Sequence, residues 1–333
     1  MPQASWRQFV TTTVFRARLR GVPGCAKLEY MRKPNPYAAI GLDRASERRG
    51  DTAWIESLFH DPTSRFLPIW RSKSFIIPGD EPRASIIEPE SALALSILPG
   101  DAVFLGLKED IAHFSVDVSH LDDPTSAKVF VGRGEFVELR SVGPLLSRDE
   151  GGILAYAKGI MHWHARHLFC GVCGSETEMR DAGHVRVCGA DGCGSQHFPR
   201  TDPAVIMLVS QGDRVVLGRK SEWVEHMYST LAGFVEPGES LEDAVAREVW
   251  EEIRIEVTNV RYHSSQPWPF PASLMLGFHA DAVTDNIEFD RDELEDARWF
   301  TRQELADGGA GIKHRPRSDS IARRLIKDWV ESG

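Results

Sequence analysis

Glu248 is followed by Glu251 and Glu252, at intervals of three and four residues. On a helix those intervals bring the carboxylates onto one face, where like charges repel. Two arrangements relieve the repulsion. One is a fully solvated acidic face; the other is a hard divalent cation such as Mg²⁺ or Mn²⁺, which takes oxygen ligands and keeps coordination sites open for substrate phosphates. Spacing alone leaves the two even. Ahead of the glutamates, Gly233 and Gly238 mark a tight loop, and Ser240 with Asp243 forms a capping-box-like helix start. Ala244, Val245, Val249 and Ile253 make the inward stripe of that helix.

Four of the five cysteines form a second chemical cluster, Cys170 and Cys173 followed by Cys188 and Cys193, with Cys25 standing alone. Each pair sits on a short glycine-containing turn, a layout that lets four thiolates enclose one tetrahedral Zn²⁺. The competing readings are four buried thiols or a redox pair at Cys170 and Cys173. Four protein ligands leave no open position, so such a zinc is structural. Clustered cysteines in a long acidic chain favour a metal site over a disulfide framework, with the cytoplasm as the compartment. Zinc ribbons also occur in nucleic-acid-binding proteins, so this element alone does not decide function.

A third feature is residues 265–273, Ser-Gln-Pro-Trp-Pro-Phe-Pro-Ala-Ser. Prolines interleaved with Trp268 and Phe270 cannot continue a helix or a central strand, so a stiff loop displaying two aromatic faces is expected. Such faces suit stacking of a base or nicotinamide ring. The alternative is a plug at the edge of the core.

The elements that must position these groups follow from periodicity. Asp51 or Thr52 caps a short helix through Trp54, Ile55, Leu58 and Phe59, and 103–107 and 112–118 read as strands across a polar turn at 108–110. Apolar residues from Ile153 to Leu168 recur at helical spacing and predict one amphipathic helix over 150–169, delivering the chain to Cys170. After the cysteines, 204–209 and 215–217 are β-rich runs joined by Gln211-Gly212-Asp213, a hairpin signal. A glycine loop at 308–311 precedes a final basic helix near 321–330.

At 333 residues the chain is long enough for more than one core. The net charge of −10 disfavours broad electrostatic binding to nucleic acid while leaving a local contact open. No stretch has the apolar length of a membrane span, so no membrane partner is expected. Residues 1–28 lack acidic side chains and carry Arg7, Arg16, Arg18, Arg20 and Lys27. They read as a ragged basic N-terminus, with a transit peptide as the alternative.

The segment from Gly233 resembles the Nudix box, Gly-x5-Glu-x7-Arg-Glu-U-x-Glu-Glu-x-Gly-U with U aliphatic, at Gly233, Glu239, Arg247, Glu248, Val249, Glu251, Glu252 and Ile255. The resemblance resolves the even choice in favour of a metal site. It implies that Glu248 and Glu252 ligate Mg²⁺ or Mn²⁺ together with the Ala232 carbonyl, that Glu251 or Glu252 helps deprotonate the attacking water, and that Arg247, paired with Glu239, orients the carboxylates. The box departs at Arg254, where a helix-ending glycine is usual. A non-glycine residue there costs about 1 kcal/mol and predicts a strained or altered helix end without loss of chemistry.

The string at 265–273 matches every fixed position of a signature of the NADH pyrophosphatase (NudC-like) branch of the Nudix hydrolases. That branch also carries a zinc ribbon, an N-terminal domain and an Ala-Arg-Arg-Leu-Ile run, here Ala322 to Ile326. The implied architecture is α+β: a Nudix α/β/α sandwich with a mixed sheet at 199–333, preceded by a small zinc ribbon at 169–198 and an N-terminal α+β domain at 1–168. The second cysteine pair departs, with four intervening residues where the family has two, which puts the geometry of that turn in question.

By the same resemblance Glu293 is an additional metal ligand. Gln266, Pro267, Trp268, Pro269, Phe270, Pro271, Ala272, Ser273, Arg140 and Ala322 contact substrate. Phe198 stands where relatives carry a substrate-contacting Tyr. The implied activity is hydrolysis of the diphosphate of NADH or NAD⁺ to nicotinamide mononucleotide and AMP, with removal of NAD caps from RNA 5′ ends as the alternative and a homodimer as the implied assembly. A non-enzymatic nucleotide or nucleic-acid sensor usually loses box carboxylates, and all are present here.

Overall fold

One strand buried on both of its faces organises the C-terminal half of the molecule. In a computed structural model that describes residues 33–38, 41–308 and 314–332, the strand Asp202–Gln211 is flanked by helices on both faces. The basic N-terminus, Cys25 and residues 309–311 of the glycine loop lie outside the described residues. The chain divides into Met1–Pro34 and Asn35–Gly333, and every element described here belongs to the latter.

The first sheet is built from β1 (Arg65–Trp70), β2 (Lys73–Ile77), β3 (Arg83–Ala84), β4 (Val103–Lys108), β5 (Ile111–Asp117) and β6 (Glu135–Val137), with α1 (Thr52–Phe59), α2 (Pro89–Ala94), α3 (Leu139–Val142) and α4 (Arg148–Arg166) around it. Its order is β3-β2-β1-β5-β4, with β6 also on β2 and β1 parallel to β5. Phe66 on one face packs with Ile55 and Phe59 of α1, whereas Leu67 and Ile69 on the other pack with Leu154, Ala157 and Ile160 of α4. Period-two side chains therefore dictate a helix on each face.

The expected helix at 52–59 and strands near 103–107 and 112–118 are present, with the Asp51 side chain accepting from the Trp54 amide. The long helix is shorter than expected. It stops at Arg166 because Thr177 takes the next carbonyls, its hydroxyl bonding the His167 oxygen and its amide the Leu168 oxygen. Leu168 and Phe169 are exposed in consequence.

A small antiparallel sheet comes next in the chain, β7 (Thr177–Arg180), β8 (Val185–Cys188) and β9 (Gln196–His197). The last sheet has six strands: β10 (Asp202–Gln211), β11 (Arg214–Arg219), β12 (Leu231–Phe234), β13 (Val257–Trp268), β14 (Ser273–Ala282) and β15 (Asp296–Thr301). Their order is β13-β14-β10-β11-β15, with β12 also on β10. β10 runs parallel to β14 and antiparallel to β11 and β12, so the sheet is mixed. Helices α5 (Leu241–Ile253), α6 (Arg302–Asp307) and α7 (Ile321–Glu331) complete it. Val205, Met207 and Val209 face Ala244, Val245, Val249 and Ile253 of α5, while Ile206 and Leu208 face Leu325 and Trp329 of α7. This is the expected α/β/α sandwich. Among the described residues no helix is long and apolar enough to cross a membrane.

Two local expectations need correction. Residues 265–268 are not loop: they continue β13 to Trp268, with Pro267 in register with Leu274. β13 lies at the sheet edge, where a proline's missing N–H costs no ladder bond. Gly233 is likewise within strand β12 and not in a loop.

The end of α5 keeps the usual geometry despite Arg254. That residue adopts φ 57°, ψ 27°, its amide bonds the Trp250 carbonyl at 3.0 Å, and its guanidinium reaches back to the same oxygen at 3.3 Å. The strain is thus held in one residue. Arg254→Gly is expected to stabilise the fold by about 0.5–1 kcal/mol, since glycine enters this conformation without a Cβ clash. Denaturant titration checks it, and a loss of stability would contradict the account.

Candidate active site

The first requirement of the acidic cluster is space. A Cβ on Gly233 would lie 1.8 Å from the carboxyl carbon of Glu248. Glycine is needed here because β12 must pass directly against the Glu248 carboxylate, and no left-handed backbone is involved. Gly238, at φ +97°, is the residue that makes the turn before α5. The helix then starts on a reciprocal capping box between Ser240 and Asp243.

Arg247 organises the carboxylates around it. Its Nε donates to Glu239 Oε1 at 2.5 Å and its Nη2 to Glu239 Oε2 at 3.0 Å and to the Phe234 carbonyl at 2.9 Å. Its Nη1 donates to Glu248 Oε1 at 2.9 Å and Glu251 Oε2 at 2.8 Å. The five N–H donors of the guanidinium are therefore all used, in the rigid fork only arginine offers. The bidentate pairing holds the Glu239 carboxyl down to about 2.

The three glutamates do not share one face equally. Glu251 is exposed beside Arg247, whereas Glu252 is buried at 6% exposure. Burial pushes the Glu252 carboxyl up to about 8, with Glu248 and Glu293 adding repulsion and Lys220 opposing it. Burial likewise raises Glu248. Oε2 of Glu252 has no hydrogen-bond partner. A buried oxygen without a donor, next to two more carboxylates, fits a hard divalent cation. Ala232, on the strand facing Glu252, lines the same cavity. Glu293 is exposed in the turn before β15, near enough to repel both Glu248 and Glu252.

A cavity of about 620 Å³ opens at Glu252, and Arg140, Ala232, Gln266, Trp268 and Ala322 all line it. Elements far apart in sequence thereby meet. Trp268 and Phe270 are half-buried and pack edge-on against each other and Tyr37, so they are less freely displayed than expected. Pro269, Phe270 and Pro271 line a neighbouring cavity, and Pro267, Ala272 and Ser273 a third. Gln266 is fully buried: its amide donates to the carbonyls of Pro36 and Asp319 and accepts from the Ile321 amide. With three bonds to the protein, it pins β13 to the start of α7 while lining the main cavity. Phe198 is 61% exposed and lines none of these three cavities.

Sequence reasoning missed Lys220 and Arg317, which also line the main cavity. It missed Tyr37, whose hydroxyl bonds Asp319 at 2.6 Å across 282 residues. Lys220 comes directly after a strand and was detectable as a cation near the box; the others carry no local signal.

The sulfurs of Cys170, Cys173, Cys188 and Cys193 lie within 4.8 Å of one another, as a tetrahedral metal requires. The longer second turn is accommodated by Gly192 at φ +80° and a Cys193 amide bond to Ala190, so four intervening residues still present both thiols. The Val172 and Ala190 amides point at Cys170 and Cys188 Sγ, and His197 Nε2 lies 3.3 Å from Cys170 Sγ.

Two outcomes are expected from this geometry. Gly233→Ala should displace the Glu248 carboxylate and lower turnover on the order of 100-fold with the fold retained, as kinetics and circular dichroism would read; near-normal turnover would contradict the close approach. Glu252 ionises near its ordinary value of 4.5 when unfolded and near about 8 when folded without metal. Folding thus favours the protonated form, and this contribution to stability is full below 4.5 and lost as pH rises through about 8. In magnesium-free buffer, unfolding titrations of the wild type should show that loss and those of Glu252→Gln should not.

Three family models cover consecutive stretches: an NADH pyrophosphatase-like rudimentary NUDIX domain at residues 63–163, an NADH pyrophosphatase zinc ribbon domain at 165–198, and a NUDIX domain at 200–325. A Macaca fascicularis protein named NAD-capped RNA hydrolase NUDT12 is 34% identical over 89% of this chain and 73% of its own length. NAD-capped RNA hydrolase NudC of Mycobacterium bovis is 40% identical over 70% of this chain and 76% of its own. Nudix hydrolase 19, chloroplastic, of Arabidopsis thaliana is 42% identical over 67% of this chain and 54% of its own. With a divalent-metal hydrolase fold and a structural zinc ribbon in one chain, the protein belongs to the NADH pyrophosphatase-like (NudC/NUDT12) family of Nudix hydrolases.

Proposed function

We propose that this chain hydrolyses the diphosphate of NADH and NAD⁺, releasing nicotinamide mononucleotide and AMP, with Mg²⁺ or Mn²⁺ as its working metal. The observation that carries the reading is that Glu252, buried and with its Oε2 lacking a hydrogen-bond partner among the described residues, lines a cavity of small-molecule size whose wall includes Trp268, Arg140 and Arg317. Segments 1–168, 169–198 and 199–333 act as N-terminal, zinc-ribbon and catalytic parts.

When bound, the divalent cations neutralise the diphosphate oxygens and make the attacking water more acidic. Glu248, Glu252, Glu293 and the Ala232 carbonyl are the oxygen donors that would hold them. Glu251 or Glu252 accepts the water's proton. Arg247 fixes Glu248 and Glu251 through its Nη1 and transmits the position of Glu239 to both. Trp268 offers an aromatic wall to a base or nicotinamide ring, and Arg140 offers positive charge at the same cavity.

The relatives' names favour a second use of the same bond cleavage, removal of NAD caps from RNA 5′ ends. The scissile diphosphate is identical. At a net charge of −10, contacts to a long RNA body must be local. We also propose a homodimer, with the exposed Phe198 as part of the shared surface, and a reducing compartment such as the cytoplasm, which suits four clustered thiols.

Product analysis with NADH, NAD⁺ and a short NAD-capped RNA in Mg²⁺ or Mn²⁺ tests the reading: AMP or 5′-monophosphate RNA is the expected product, and failure with all three sinks it. Glu252→Gln should lower kcat on the order of 1,000-fold with a smaller effect on KM, because it removes a metal ligand and candidate base while leaving the cavity wall that receives the nucleotide in place.

A further inference from the structure

Beside the main cavity lies a second of about 600 Å³, and Arg140 and Arg317 line both. Lys158, His162 and Glu138 supply further polar lining of the second cavity, and Phe270 an apolar wall. Lys158 is an unusual group to find there. It sits on α4 with 8% of its side chain exposed, and an ammonium so placed is costly unless well paired. Its Nζ donates to the Ser72 carbonyl at 2.5 Å, but reaches Glu138 Oε2 only at 3.5 Å, and Glu138 is itself half exposed. Two of the three ammonium donors are thereby accounted for.

The cations around this cavity outnumber the carboxylates. Arg140, Lys158 and Arg317 line it with one carboxylate, Glu138, and Asp319 pairs with Arg317 from behind, which leaves an excess of one positive charge. Arg317 is held in place by Asp319, at 3.0 Å from Nε to Oδ1 and 3.2 Å from Nη2 to Oδ2, and by the Arg140 carbonyl. Asp319 is in turn buried and bonded by Tyr37. The guanidinium is therefore positioned before any ligand arrives. Two guanidiniums and a buried, partly paired ammonium form the donor set of a phosphate site, with forked donors and a point charge together. In a chain of net charge −10 such a local excess needs a reason.

We propose that this second cavity is a subsite for a phosphate that the dinucleotide carries outside its scissile diphosphate, on the adenosine ribose. The proposal rests on the dinucleotide reading of the adjoining cavity. It places the adenosine ribose on the side of Arg140 and Arg317. Two sources share this chemistry: a 2′-phosphate on a phosphorylated dinucleotide, and the 3′-linked phosphate of RNA behind a dinucleotide cap.

Calorimetric titration of the full chain with AMP, adenosine 2′,5′-bisphosphate and adenosine 3′,5′-bisphosphate tests it without turnover. At least one bisphosphate is expected to bind about tenfold more tightly than AMP, and the isomer that gains identifies the source. Lys158→Met should bring that preference to within about twofold while AMP affinity holds, and Glu138→Gln, which removes the competing carboxylate, should widen it several-fold. Equal binding of all three nucleotides by the wild type overturns the proposal, as does a preference that Lys158→Met or Glu138→Gln leaves unaltered. If Lys158→Met does not fold, Glu138→Gln alone decides. AMP release from NADH by the same preparation is scored separately: its absence overturns the diphosphatase reading and leaves the phosphate preference measurable.

Discussion

One guanidinium, that of Arg247, sets the geometry on which the acidic cluster depends. Three carboxylates and a carbonyl converge on its five donors, so the side chains of Glu239, Glu248 and Glu251 and the backbone of β12 at Phe234 are fixed relative to one another. A buried ion pair alone is weak evidence of stability, because desolvation offsets attraction. Here the network is better understood as a device for position. It neutralises part of the charge of α5 and leaves Glu252, which Arg247 does not touch, buried with its Oε2 lacking a donor among the described residues. The fold holds that carboxyl largely buried at the wall of the main cavity, beside Glu248 and Glu293, an arrangement suited to a divalent cation.

The second constraint is the seam between the N-terminal sheet and the sandwich. Gln266 ties the Pro36 and Asp319 carbonyls to the Ile321 amide, while Tyr37 bonds the Asp319 carboxylate. Burial forces the Tyr37 hydroxyl to remain protonated, with the bond to Asp319 reinforcing this. The Tyr37 oxygen occupies the space over Gly143, where a Cβ would lie 1.9 Å away. Residues near the start, middle and end of the described chain are thus locked around one wall of the cavity. That wall carries Arg317, whose carboxylate partner is Asp319.

The proline-rich string shows how a correct resemblance and an incorrect local structure can coexist. Its prolines argue against a central strand, and β13 is an edge strand that admits them. Its aromatic residues suggest open faces, but the N-terminal sheet's second core covers part of them. Gln266, a substrate contact by resemblance, is a buried amide bonded to the Pro36 and Asp319 carbonyls and the Ile321 amide. Each discrepancy has the same origin: the string is read as an isolated segment, whereas its surroundings come from Tyr37, Leu139 and α4.

The sequence by itself determined the elements and chemistry set by short-range spacing. The box from Gly233 to Ile255, its capping box, its inward stripe and the four cysteines depend on intervals of a few residues, which a helix or turn converts directly into proximity. The apolar run at 204–209 is legible as a strand for the same reason, whereas its burial by α5 on one face and α7 on the other is a matter of packing. What only the tertiary structure decided is which groups meet across long separations and which are dry. Glu248, Glu251 and Glu252 differ little in sequence, yet Glu252 is buried with an unpartnered oxygen, while Glu248 and Glu251 share Arg247 and only Glu251 is exposed. The need for Gly233 is a matter of contact with Glu248 on another element, not of its own backbone angle. Charge shows the same division. The chain total of −10 is fixed by composition, but the meeting of Arg140, Lys158 and Arg317 around one cavity is fixed by packing, because burial and distance, which set electrostatic cost, are properties of the folded chain alone.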